Sequence, residues 1–149
     1  PAKIGKVIGG SAKAGQQLIT KFLFNMPKLK ELRENVVEAS QIGTILALDG
    51  RLLHIRADYA SLNTLLQGAG AIICKQWLVH ITERIRKSGV DAKLVASIHD
   101  EYQFEVAKKD AIKFGQITKD AMKETEKTLN VKCPLDCDFK IGTTWSETH

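Results

Sequence analysis

The sequence has few cysteines and no long apolar run, and each shortage excludes a class of protein. Its three cysteines, Cys74, Cys133 and Cys137, are too few and too unevenly spaced for a disulfide framework. No stretch approaches the ~20 consecutive apolar residues that a membrane-spanning helix requires. Residues 1–15 are rich in lysine and glycine and lack the apolar core of a signal peptide. We therefore expect a reduced, cytoplasmic protein with no membrane partner.

Positive charge is concentrated at the start of the chain. The net charge is +5, yet residues 1–33 alone hold seven basic side chains against one acidic side chain, Glu31. A basic segment on a nearly neutral body favours a polyanionic partner such as a nucleic-acid backbone. A solvated helix face that keeps the protein soluble explains the same pattern equally well. The basic residues are Lys3, Lys6, Lys13, Lys21, Lys28, Lys30 and Arg33.

Hydrophobic periodicity predicts an α+β protein. Residues 4–24 and 27–37 have helical spacing, with breaks near the glycines, and Asp49-Gly50 lies between two apolar runs, which indicates a hairpin. Further along, helices are predicted over 59–87 and 109–129 and strands over 94–98, 102–106 and 135–141. Together these elements predict an antiparallel sheet packed against long helices.

One face of the long helix predicted over 59–87 carries polar and small residues. Asn63, Gln67, Gly70 and Cys74 recur at helical spacing, so they lie on a common stripe. Two amides and two small residues on one face of a largely buried helix indicate a polar partner that approaches closely.

The triplet His99-Asp100-Glu101 interrupts the hairpin predicted over 94–106. Carboxylates at the tip of a tight hairpin are exposed yet held on rigid backbone, as a Mg²⁺ site requires. In two-metal phosphoryl transfer the ions lie ~4 Å apart, so such a site needs more than one aspartate. A solvated, charged turn is the alternative interpretation.

Two other arrangements are weaker. Ser97, His99 and Asp100 contain the residue types of a hydrolase triad, but neighbours on one strand point to opposite faces and the nucleophile elbow is missing. Cys133 and Cys137 could suggest zinc, but a structural zinc site needs four closely spaced ligands.

Several separated runs together carry a resemblance to one known family, and four of them are Leu48–Arg51, His54–Arg56, Ala60–Lys75 and Ile98–Gln103. They resemble family A DNA polymerases, the phage replicative type in particular: the first three resemble the palm subdomain, and the last resembles motif C. Lys3–Val7 resembles the segment that follows the nucleotide-binding helix, and Trp145-x-x-x-His149 resembles the family's C-terminus. The resemblance covers nearly the whole chain in the correct order. It implies that residues 1–40 form part of the fingers and residues 41–149 the palm.

The resemblance also implies roles for individual residues. Asp100 would be the second metal-binding aspartate, His99 would approach the primer terminus, and Glu101 would support the metal site. Asn63 and Gln67 match the amides that touch the minor groove near the primer terminus. Minor-groove acceptors are shared by A·T and G·C pairs, so amide donors there test pair geometry without reading sequence.

Four further residues are expected at the DNA. Arg51 and Arg56 would hold the DNA backbone or the palm's own acidic groups. Tyr59 stands where many relatives have Arg or His facing the duplex, and His149 matches the family's closing residue.

The implied activity is DNA-dependent DNA polymerisation, that is, nucleotidyl transfer from a dNTP to a primer 3′-OH on primer–template DNA with two Mg²⁺ ions. It would take place in a bacterial or phage-infected bacterial cell. The family's first catalytic aspartate and its nucleotide-binding helix are expected upstream of Pro1. We therefore do not expect this chain to polymerise alone, and we expect the upstream polymerase fragment as a partner.

Two alternatives remain. A catalytically silent DNA-binding module derived from the palm would keep the DNA grip, although the intact Asp100 argues against it. A free-standing metal-dependent nuclease would need a second cluster of carboxylates, and no such motif stands out.

Overall fold

The computed structural model describes residues 1–148, and helices and short hairpins alternate along them. The helices are α1 (Ala2–Val7), α2 (Ala12–Asn25), α3 (Pro27–Ala39), α4 (Ser61–Ser88), α5 (Ala111–Thr128) and α6 (Trp145–Thr148). The strands are β1 (Thr44–Leu46), β2 (Leu52–His54), β3 (Ala92–Ile98) and β4 (Glu101–Val106). The predicted α+β class is confirmed. Within residues 1–148 the strands form two separate two-stranded sheets, β1–β2 and β3–β4, instead of one larger sheet.

The chain divides into two compact units. The first comprises Pro1–Ile45 and Leu52–Leu65, and the second comprises Leu46–Arg51 and the chain from Leu66 onward. In residues 1–148 no helix combines the length and the apolar character needed to cross a lipid bilayer.

Glycines bring α1 and α2 together in the first unit. A Cβ atom on Gly15 would lie 2.2 Å from the carbonyl oxygen of Pro1 and 2.6 Å from the backbone nitrogen of Gly5. Only a residue without a side chain permits this approach. The hydroxyl of Ser11 caps α2 by accepting a hydrogen bond from the Ala14 N–H at 3.3 Å.

The core of the second unit lies between α4, α5 and the β3–β4 hairpin. Its buried members are Trp77, Ile81, Val90, Phe114, Ile117, Ala121 and Met122. Tyr102, Phe104 and Val106 of β4 pack against this cluster, because every second residue of a strand points to the same face. The hairpin is therefore held to the helices by one of its faces.

The strand predicted over 135–141 is wrong: in the structure this segment pairs with no strand of residues 1–148. The alternation of apolar and polar residues in this segment instead reflects its contacts with the core and α5. Leu135 and Cys137 pack against the core cluster, and the Leu135 N–H donates to the Glu126 carboxylate at 2.7 Å. The Phe139 ring lies over Gly115 of α5, where an added Cβ would come within 2.3 Å of it. Leu135 and Cys137 are half-buried, while Phe139 and Ile141 stay exposed. Partial cover of one face by the core and α5 thus accompanies the same period of two as pairing in a sheet.

Candidate metal and nucleic-acid site

The triplet His99-Asp100-Glu101 forms the tip of the β3–β4 hairpin. The strands are antiparallel and Ile98 pairs with Glu101, so His99 and Asp100 make a two-residue turn. Both turn residues are exposed, and Glu101 is the half-buried first residue of β4. His99 has φ of 53°, in the left-handed region that glycine fills most easily. A non-glycine residue held there costs free energy, and such positions are concentrated at functional sites.

The tip of the hairpin lies close to α4. Burial raises the pKa of the Cys74 thiol, and the negative charge of Asp100 raises that pKa further. The contact between Tyr102, two residues after Asp100, and Trp77 of α4 places the turn beside the middle of this helix. Cys74 also lies on the helical stripe that contains Gly70 and Gln67.

An aromatic pair joins the strand that follows the His99–Asp100 turn to α4. The Tyr102 ring lies 5.3 Å from the Trp77 ring, at an interplanar angle of 46°. Burial raises the pKa of the Tyr102 hydroxyl, Cys74 raises it further, and a hydrogen bond with Ser97 acts in the opposite direction. The Trp77 indole N–H in turn donates to the Thr118 carbonyl at 2.8 Å. Trp77 of α4 therefore contacts both α5 and the β3–β4 hairpin.

Glu101 does not rely on its backbone alone for its position. Its carboxylate accepts a hydrogen bond from the Gln103 side-chain amide, two residues along β4. Gln103 in turn accepts a hydrogen bond from the hydroxyl of Thr148 at 3.2 Å. Reasoning from the sequence missed this contact of Thr148, because no local pattern connects residues that are 45 positions apart.

The amides of α4 face solvent. Gln67 and Gly70, in the second unit, are exposed, and a Cβ on Gly70 would meet nothing within 4 Å. Asn63 belongs to the first unit and is likewise exposed. Within residues 1–148, neither side-chain amide has a hydrogen-bond partner, so both can bind an external one.

The remaining DNA-binding candidates differ in their surroundings. Arg51, in the second unit, forms an ion pair of 2.6 Å with Asp49 in the β1–β2 turn, and its hydrogen bond is the main cause that lowers the pKa of that carboxyl. Arg56 and Tyr59, in the first unit, are exposed, and 90% of Tyr59 is accessible to solvent. The candidate His149 lies outside the described residues.

The donor chemistry of the turn suits one side of a Mg²⁺ site. Mg²⁺ prefers oxygen ligands and binds one or two carboxylates, and Asp100 presents an exposed carboxylate on a short, rigid turn. Across the part of the chain that the structure describes, no three histidine, cysteine, aspartate or glutamate side chains are arranged to hold a metal ion. Asp100 can therefore supply one ligand of a Mg²⁺ site, whereas Cys133 and Cys137 have no further ligands among residues 1–148 for the four-coordinate site that structural zinc needs.

Comparison with solved structures identifies the class of fold. The chain is similar to the POL domain of Pol1 from M. smegmatis, solved in complex with DNA primer-template and dNTP, with a TM-score of 0.75. The match covers 90% of this chain and 25% of that one, at 19% sequence identity. At this identity the similarity establishes the fold, which is that of part of a polymerase domain.

Sequence comparisons identify the family. Residues 1–147 match DNA polymerase family A, and the chain belongs to this family. It is 36% identical to the DNA-directed DNA polymerase of Enterobacteria phage T3 and 34% identical to that of Escherichia phage T7. Each match covers 99% of this chain and 24% of the phage protein. The chain thus spans about a quarter of the length of these relatives.

Proposed function

We propose that this chain is the part of a DNA-dependent DNA polymerase that supplies one metal-binding aspartate, Asp100, and part of the grip on primer–template DNA. The reaction is template-directed transfer of a nucleotide from a dNTP to a primer 3′-OH by a two-metal mechanism. The observation that carries the proposal is the exposed Asp100 carboxylate on the two-residue turn, near the polar stripe of α4. Membership of DNA polymerase family A supports it.

Asp100 would bind Mg²⁺ directly, and Glu101 would support the site from the start of β4. When bound, the Mg²⁺ ions neutralise charge on the attacking and leaving oxygens of the phosphoryl transfer. The short turn restrains the backbone of Asp100, which limits the positions that its carboxylate can reach. The exposed imidazole of His99 is available to contact the primer terminus.

Asn63 and Gln67 would contact the minor groove of the primer–template duplex. Both amides are exposed, and neither has a hydrogen-bond partner within residues 1–148, so binding DNA breaks no internal bond of theirs. Purine N3 and pyrimidine O2 occur in every Watson–Crick pair, so amide donors that bind them do not discriminate between correct pairs. Because the space around Gly70 is open, a duplex can approach the helix closely.

The more peripheral contacts would come from charged and aromatic side chains. Arg56, Tyr59 and His149 would contact the duplex, and Arg51 would either do the same or continue to neutralise Asp49. We assign residues 1–40, which carry the basic segment, to the fingers and residues 41–149 to the palm. Phosphate contacts from such a basic segment strengthen binding without selecting sequence.

The other components of the polymerase site would lie outside these 149 residues, on the same polypeptide or on a second one. The relatives are about four times as long as the matched segment, and a two-metal site needs a second aspartate. We therefore propose that the chain alone does not extend a primer.

Primer extension with Mg²⁺ tests the proposal. The chain is assayed alone and together with the remaining part of a family A polymerase, each with Asp100→Ala and with a matched control, Asp138→Ala. Asp138 has a fully exposed side chain, and its ion pair with Lys119 is long, at 3.7 Å. We expect extension only in the mixture, lost by at least about 100-fold in Asp100→Ala and unchanged in Asp138→Ala.

The contrary outcomes are distinct. Full extension by the Asp100→Ala mixture would show that Asp100 is not a metal ligand, and extension by the chain alone would contradict the need for other components. Salt-sensitive DNA binding without extension in any mixture would favour the catalytically silent binding module.

A further inference from the structure

We propose that Thr148 and Gln103 act as a positioning pair that orients the Glu101 carboxylate beside Asp100, and thereby couple the C-terminal segment of the chain to the metal site. The inference rests on the proposed function, because it concerns the residues next to the proposed metal ligand. It assigns Thr148 and Gln103 a role that acts through Glu101, with no contact to substrate.

The hydrogen bonds run from Thr148 to Gln103 and from Gln103 to Glu101, and the chemistry of the groups fixes which one donates. An ionised carboxylate only accepts hydrogen bonds, so the Gln103 amide must present its nitrogen to Glu101, as it does in the structure. The amide oxygen then faces Thr148, whose hydroxyl donates to it at 3.2 Å. If the amide rotated by 180°, its oxygen would face the carboxylate, so the hydrogen bond to Glu101 would be replaced by a repulsive contact, and the amide nitrogen would donate to the Thr148 hydroxyl oxygen instead.

The Thr148 hydroxyl has a second acceptor, the Trp145 carbonyl oxygen, at 3.1 Å. A hydroxyl has one proton, so the two acceptors share it. If the proton pointed to Trp145 alone, two unshielded oxygens would face each other at 3.2 Å across the Gln103 contact. Sharing the proton between the two acceptors avoids this repulsion.

Packing by itself does not hold the Gln103 amide in place. Gln103 and Glu101 line a cavity of about 330 Å³ together with aromatic residues that include Trp77, Tyr102 and Phe139. A side chain on the wall of a cavity has fewer van der Waals neighbours than one in a close-packed core. The hydrogen bonds at the two ends of the amide therefore determine its rotamer.

Thr148 is itself held by contacts to the body of the second unit. The Glu147 carboxylate caps α6 by accepting hydrogen bonds from the Thr144 N–H at 3.2 Å and the Thr143 hydroxyl at 3.1 Å. Before this turn, the Leu135 N–H bonds to Glu126 and Phe139 lies on Gly115, which ties the segment to α5. The hydroxyl of Thr148 thus has a defined location relative to the hairpin.

The isosteric substitution Thr148→Val removes the hydroxyl and keeps the shape, while Thr148→Ser keeps the hydroxyl. Both are made in the polymerase reconstituted from this chain and the remaining part of the enzyme, with Asp100→Ala in parallel. We expect Thr148→Val to raise the Mg²⁺ concentration for half-maximal extension about fivefold, equivalent to about 1 kcal/mol. We expect Thr148→Ser to stay within about twofold of the unmodified protein.

NMR detects the hydrogen bond between Thr148 and Gln103 directly, in the absence of metal and without an activity assay. In NMR spectra of the 149-residue chain, the side-chain amide protons of Gln103 should shift in Thr148→Val and keep their positions in Thr148→Ser. Gln103→Met, which cannot make either hydrogen bond, should reproduce the Mg²⁺ effect of Thr148→Val. The indole resonance of Trp145 reports whether α6 is still formed.

The outcomes separate the two proposals. If Asp100→Ala abolishes extension while Thr148→Val behaves like the unmodified protein in both measurements, the positioning inference fails and the proposed function stands. If Asp100→Ala has no effect, the proposed function fails and the inference about metal positioning fails with it. If Thr148→Ser is as defective as Thr148→Val, the hydroxyl is not the cause and the inference is overturned.

Discussion

Replacing Trp77 by phenylalanine tests how the candidate hairpin is held to the helices. Trp77 is buried, with 7% of its surface exposed, and it makes two specific contacts. Its indole N–H donates to the Thr118 carbonyl at 2.8 Å, and its ring lies 5.3 Å from the Tyr102 ring just beyond the His99–Asp100 turn. The substitution removes the hydrogen bond and part of the ring while keeping an aromatic group against Tyr102.

Two contributions add to the expected loss of stability. The buried hydrogen bond is worth about 1 kcal/mol, and more if the Thr118 carbonyl is left with an unmet acceptor site. The smaller ring leaves roughly 35 Å³ unfilled, which costs about 1 kcal/mol at about 24 cal/mol per Å³. We therefore expect the free energy of unfolding to fall by about 2 kcal/mol.

Urea denaturation followed by circular dichroism at 222 nm measures this change, and Trp145→Phe is the matched control. Trp145 is 50% exposed, so the same substitution there should alter the free energy of unfolding by less than about 0.5 kcal/mol. A loss below about 0.5 kcal/mol for Trp77→Phe, or equal losses at both positions, would refute the assignment of Trp77 as the link between the helices and the hairpin.

Two further predictions concern the first unit and α6. Gly15→Ala should expose the amides of α1 to faster hydrogen exchange, because the added Cβ meets backbone at 2.2 Å and overpacking of this kind costs about 1–3 kcal/mol. Gly70→Ala, in open space, should stabilise α4 by about 0.5–1 kcal/mol, and equal exchange in the two variants would contradict the close helix contact. Hydrogen bonds from Thr143 and Thr144 lower the pKa of Glu147 below its ordinary 4.5, so the stability it gives α6 is complete above pH 4.5 and is lost as pH falls through the lower, folded value. After normalisation to the intrinsic exchange rate at each pH, the protection of the α6 amides from hydrogen exchange should therefore decrease below pH 4.5. Glu147→Gln should remove this pH dependence, and the same loss of protection in that variant would contradict the role of Glu147.

Local patterns correctly predicted the elements whose causes are local. The Asp49-Gly50 pair predicted the β1–β2 hairpin, and Gly50 has the positive φ of 82° that such a turn favours. The apolar stripe predicted over 59–87 corresponds to α4, Ser61–Ser88. The strands on either side of His99-Asp100-Glu101 were also confirmed. The roles assigned to the site residues stay predictions, which the primer-extension assay tests.

The segment 135–141 shows where pattern reasoning failed. An alternation of apolar and polar residues reports that one face is buried, but it does not report what covers that face. Here the cover is the core cluster and α5, with Phe139 on Gly115, and this contact joins residues far apart in the chain. A period of two is therefore necessary for a half-buried strand and insufficient to prove one.

The amino-acid sequence by itself determined the helical segments that became α1 to α5, the two hairpins and the presence of a carboxylate at the tip of β3–β4, because turn chemistry and periodicity act over a few residues. Only the tertiary structure decided which groups surround that carboxylate. The proximity of Asp100 to Cys74 and the hydrogen bonds from Thr148 through Gln103 to Glu101 depend on how α4, α5 and the C-terminal segment pack. Such contacts arise from burial and from hydrogen-bond geometry across long sequence separations, and no local pattern encodes them.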